Sequence, residues 1–64
     1  MDNVQFTKEY INNRIEERGF DEYGQICIDF SNICNKTELL GAVKQLEFTA
    51  KKGQGKGVYW IMKK

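Results

Sequence analysis

The sequence predicts an α+β domain in which two helices pack on a small three-stranded, mostly antiparallel sheet, in the order α-β-α-β-β, ending in a wing-like hairpin. Three observations predict it. Apolar residues recur at helical spacing in two segments, around Ile11 and around Leu39. Residues 25–30 alternate between apolar and polar with a period of two. A glycine-rich stretch, Gly53-Gln54-Gly55-Lys56-Gly57, separates two strand-like arms.

The first helix is expected from about Thr7 to Arg18. Thr7 is its predicted N-cap, and Phe6 and Ile11 are placed to form a hydrophobic staple across that cap. Ile11 and Ile15, four apart, share the apolar face. Gly19 ends the helix in the left-handed conformation that glycine adopts at little cost, and Phe20 follows where the chain folds back toward Ile15. Asp21-Glu22-Tyr23-Gly24 is a turn by composition.

Gln25–Phe30 then reads as a half-buried strand, with Ile26, Ile28 and Phe30 on one side and Gln25, Cys27 and Asp29 on the other. Ser31–Asn35 is a loop or a single helical turn. Asn35 with Glu38 has the form of a capping box, and Thr37 is a rival cap. The second helix carries Leu39, Leu40, Val43 and Leu46 and fades near Leu46 or Glu47. Gly41 inside it costs about 1 kcal/mol relative to alanine, which suggests that a close contact demands it.

The hairpin arms are Phe48–Lys52 and Val58–Met62. The return arm is apolar on both sides, with Val58, Trp60 and Met62 alternating with Tyr59 and Ile61. That pattern suits a central strand covered on both faces, or one whose second face meets a partner. The predicted core is Ile11, Ile15, Phe20, Ile26, Ile28, Phe30, Leu39, Leu40, Val43, Leu46, Phe48 and Trp60.

Sixty-four residues form one small domain, 1–64, of marginal stability. The two cysteines, Cys27 and Cys34, and the absence of histidine exclude a four-ligand zinc site within one chain and remove the usual catalytic base. They are expected to be reduced thiols. No stretch reaches the ~18 apolar residues of a membrane span, and the segment beginning Met1-Asp2 lacks the character of a signal peptide. The sequence therefore predicts a cytoplasmic, non-enzymatic protein, a monomer or weak homodimer, with no cofactor, no metal and no small-molecule substrate. The carboxylate pairs Glu16-Glu17 and Asp21-Glu22 read as solvated charge. The glycine-rich stretch lacks the Gly-Lys-Ser/Thr ending and the following helix of a phosphate loop.

Net charge is distributed unevenly. Residues 1–32 carry −4 and residues 33–64 carry +5. Lys51, Lys52 and Lys56 crowd the hairpin, and lysine ammonium groups suit phosphate oxygens. The run Glu38–Glu47, the arms around Gly53–Gly57 and the closing Val58-Tyr59-Trp60-Ile61 together resemble the end of a winged helix-turn-helix domain, in which a recognition helix runs into a two-stranded wing. The resemblance implies that the strand at 25–30 pairs with the last strand, which is then central. It also implies DNA binding, with Lys51, Lys52, Gln54 and Lys56 at the wing and Lys44 and Gln45 approaching the duplex. Only Ser31–Lys36 separates strand from helix, so the helix-turn-helix is truncated. The alternative partner is a protein, as for a small inhibitor or adaptor encoded by a mobile element. It would be bound through the acidic first helix (Glu9, Glu16, Glu17) or the apolar last strand.

Overall fold

The structure, a computed structural model, describes residues 3–64. The first helix, α1, runs from Asn3 to Arg18. Thr7 is thus not the N-cap: it lies inside the helix, fully buried, and its hydroxyl donates to the carbonyl of Asn3 at 2.6 Å. That bond one turn back satisfies a buried hydroxyl without a cap. Phe6, also inside the helix, is 44% exposed and forms no staple over a helix start. The extra turn has a tertiary cause, because Val4 packs against the core and lies beside Gly41 of the second helix. The helix ends as the sequence predicts. Gly19 has φ 72°, and its N–H donates to the carbonyl of Ile15 at 2.7 Å.

The next turn is organised by one carboxylate. Oδ1 of Asp21 accepts from the backbone N–H groups of Tyr23 and Gln25, at 2.8 and 3.0 Å. Strand β1 follows at Gln25–Asp29. Ile26, Ile28 and the succeeding Phe30 are all buried, as the alternation requires. The loop 31–35 turns on Phe30, whose carbonyl accepts from Ile33 at 3.0 Å and Cys34 at 3.5 Å.

Helix α2 spans Lys36–Gln45. The capping box is complete: Oδ1 of Asn35 accepts from the N–H of Glu38 at 2.8 Å, and the Glu38 carboxylate accepts from the N–H of Asn35 at 3.0 Å. Leu39, Ala42 and Val43 form the buried stripe. Leu40 does not join it and is 45% exposed. Adjacent helical residues point about 100° apart, so only one of the two leucines fits the stripe, and Leu40 falls among exposed Lys36, Thr37 and Lys44. After Leu46 the chain reverses through Glu47, whose φ of 62° is a left-handed conformation usually reserved for glycine.

Strands β2 (Phe48–Lys52) and β3 (Val58–Lys63) form the hairpin. The sheet order is β1-β3-β2 with both pairs antiparallel, so the last strand is central and pairs with β1. Register sets the faces: Ile26 lies opposite Ile61 and Ile28 opposite Tyr59, on the side where the helices pack. Cys27 lies opposite Trp60, and Trp60 opposite Lys51, on the other side. Ile61 is therefore the fully buried residue of β3, and Trp60 is half-buried outside the core. Among the described residues, helices cover the central strand on one face only.

The two edges of the sheet differ. On β1 the carbonyls of Gln25, Cys27 and Asp29 accept from the N–H of Asp21, the guanidinium of Arg18 and the hydroxyl of Tyr10. Those bonds occupy the row of groups that an edge strand otherwise presents. β2 is the other edge and pairs only with β3, with Lys51 and Lys52 along it. Among the described residues, no helix is long and apolar enough to cross a membrane.

Candidate functional site

The hairpin is not a free flap. The carbonyl of Gly57 accepts from the N–H of Phe30 at 2.7 Å, tying the turn to the end of β1. Gly57 has φ 76°, and a Cβ placed there would stand 2.7 Å from the Ser31 backbone, so glycine is required at this approach. Ser31 is held in turn by Asp29, whose Oδ1 accepts from the Ser31 N–H at 2.9 Å. The Ser31 backbone and hydroxyl bonds hold the Asp29 carboxyl below its ordinary value, against a small opposing effect of burial.

This tie builds a cleft of about 320 Å³ between the turn and the start of α2. Phe30, Leu39, Tyr59 and Cys34 give it apolar walls, and Lys36 and Lys56 line it as well, without any carboxylate. Phe30 and Tyr59 pack edge to face with ring centroids 6.3 Å apart.

The lysines predicted to act together are distributed unevenly. Lys56 and Gln54 sit exposed on the turn. Lys51 and Lys52 point to opposite faces of the sheet. Lys51 is on the bare face beside Trp60. The Lys52 ammonium donates to the carbonyls of Gly55 at 2.6 Å and Gly53 at 3.3 Å, and lies 5.4 Å from the Tyr59 ring centre. Its ammonium is held over its own turn and keeps its full charge there. Lys44 and Gln45 are exposed on the last turn of α2, whereas the first turn of that helix borders the cleft. Lys44 stands about 12 Å further along the helix axis than Lys36. Lys36 is the residue that sequence reasoning missed: it is twenty positions from Lys56 in the chain and shares the cleft with it.

On the bare face of the sheet Val58, Trp60 and Met62 form a half-buried row along β3. Trp60 leans on the hairpin, where a Cβ on Gly53 would meet its indole at 3.2 Å. The acidic residues Glu9, Glu16 and Glu17 are exposed on α1, with Glu17 paired to Arg14 at 3.1 Å. Cys27 and Cys34 are free thiols on different parts of the molecule, the first on the bare face and the second in the cleft. Comparison of the chain with protein-family models, with curated proteins and with solved structures finds no match.

Proposed function

We propose that the chain is a small non-enzymatic DNA-binding accessory or regulatory protein that holds the phosphate backbone with the hairpin end of the molecule. The observation that carries this reading is the meeting of Lys36 with Lys56 at one cleft, on the same end as exposed Gln54. Two exposed lysines with no carboxylate among the lining residues suit phosphate oxygens, which position a protein without reading bases. Lys51 extends the contact onto the bare face, and Lys44 and Gln45 reach a second stretch of backbone about a helix length away. The second half of the chain has no arginine, the preferred reader of guanine, and binding is weakly sequence-dependent.

The test is fluorescence anisotropy on labelled mixed-sequence duplexes across a salt series. The double variant Lys36→Gln/Lys56→Gln should lose affinity equally for every sequence. It should also flatten the slope of log affinity against log salt by about 0.9 for each phosphate that is no longer neutralised. Lys52→Gln alone should flatten that slope less than the double variant, because its ammonium is held over its own turn. Absence of binding by the wild type at low salt would end the reading.

A protein partner is favoured by a different observation, the uncovered row Val58, Trp60 and Met62 next to the open β2 edge. Exposed strand edges and apolar rows are surfaces on which an extended segment adds a strand. Under this reading wild type has no DNA affinity even at low salt, and charge reversals at Glu9 and Glu16 or truncation of Trp60 abolish function while the fold persists.

A further inference from the structure

We infer that the cleft between the hairpin turn and α2 is a binding site for a small amphiphilic carboxylate, an apolar body with one terminal carboxyl group. Half-buried Tyr59 and Cys34 give it apolar walls over the buried edges of Phe30 and Leu39, and its only charged lining residues are Lys36 and Lys56. A volume of about 320 Å³ is at the low end of small-molecule sites, which suits a ligand of fragment size. Two polar groups of the lining are already engaged. The Ser31 side chain bonds Asp29, and Oδ1 of Asn35 is engaged by the N–H of Glu38. The apolar lining suits an apolar ligand body, and the two lysines suit a negative charge beside it.

The cleft is also preformed. The 2.7 Å bond from Phe30 to Gly57 and the close approach of Gly57 to Ser31 hold its two sides in place. A preformed apolar site does not lose loop-ordering entropy on binding. The capping box satisfies the N–H of Glu38 at the head of α2, and the two ammonium groups add attraction for the anion.

This site goes beyond the DNA reading and does not depend on it, since the probes below contain no nucleic acid. Sodium octanoate is titrated into the full chain and followed by amide NMR. The amides of Cys34, Lys36, Lys56 and Gly57 should shift saturably, with a dissociation constant in the millimolar range or tighter, as expected for a ligand of about ten heavy atoms. Octanol, which lacks the charge, and acetate, which lacks the body, should bind far more weakly. Octanoate should slow alkylation of Cys34 by N-ethylmaleimide and leave Cys27, on the bare face, as an unaffected control. Lys36→Gln/Lys56→Gln should keep the wild-type melt and weaken octanoate by at least about fivefold. A short peptide ending in leucine, compared with its C-terminal amide, separates a chain terminus from a free acid as the source of the carboxylate. Preference for the free terminus supports the site, and equal binding of acid and amide counts against it. No saturable shift, equal binding of octanol, or equal protection of both thiols would overturn the proposal.

Discussion

Ile61 and Trp60 are neighbours on β3, and they stand in different worlds. Ile61 is fully buried against Ile26 and the helices, whereas Trp60 lies half-buried on the opposite face, which no helix among the described residues covers. The larger and more apolar-looking side chain is the one left outside. One face of the sheet makes the fold, through Ile61, Ile26, Ile28, Phe30 and the α2 stripe. The other face is left to Cys27, Thr49, Lys51, Val58, Trp60 and Met62, and its composition is available for contact. Burial on the helix side is set by the register between β1 and β3 and by nothing intrinsic to tryptophan.

Truncating each residue in turn separates the two faces most sharply. Ile61→Ala removes a fully buried side chain and should cost about 2–5 kcal/mol, enough to threaten a domain of this size. Trp60→Ala should cost less, about 1–2 kcal/mol, because its side chain is only half-buried on the bare face of the sheet. Paired urea melts decide the matter. A Trp60→Ala cost equal to or above that of Ile61→Ala would place the tryptophan in the core and refute the division of faces.

The helix side also holds an unused gain. A Cβ on Gly41 would meet Cγ2 of Val4 at 3.6 Å, an ordinary van der Waals distance, and the residue does not have positive φ. No close approach demands glycine there. Gly41→Ala should therefore stabilise the protein by about 0.5–1 kcal/mol, seen as a higher melting temperature. A loss of stability would mean that α1 and α2 pack more tightly than their backbones show.

Much of the fold was legible because its signals are local. The capping box at Asn35 and Glu38, the stop at Gly19, the turn at Asp21 and the alternation through Ile26 and Ile28 each depend on a few adjacent residues. β2 and the central place of β3 were legible as well, since two apolar sides mark a strand with neighbours. What stayed hidden was long-range. Period two separates Trp60 from Ile61 but does not say which points inward; only pairing with Ile26 does. Leu39 and Leu40 are equally apolar, and the helix can bury one. The start of α1 moved from Thr7 to Asn3 under the influence of Val4 packing beside Gly41. The cleft was invisible for the same reason, because it exists only where Gly57 reaches Ser31, and that approach brings Lys36 to Lys56.

The smallest effect concerns Asp29, which lies on the bare face yet helps to hold the loop that forms the cleft wall. Its carboxylate accepts from the Ser31 N–H and hydroxyl, and these bonds lower its pKa in the folded state. The unfolded chain has no such bonds, so its aspartate titrates near 3.9. A folded value below the unfolded one means that the contribution is fully present above the unfolded pKa and is lost as pH falls through the folded value. The carboxylate is exposed and solvent-screened, so the effect should be smaller than any of those above. Asp29→Asn keeps an oxygen that can accept from Ser31 and removes the charge. The gap between wild-type and variant melting temperatures should be constant from neutral pH down to about 5 and should close below about 4. Other carboxylates titrate in both proteins and cancel in the difference. A gap that does not change with pH would show that the charge of Asp29 contributes nothing to the loop, leaving the Gly57 approach and the Phe30 bond as what holds Ser31 in place.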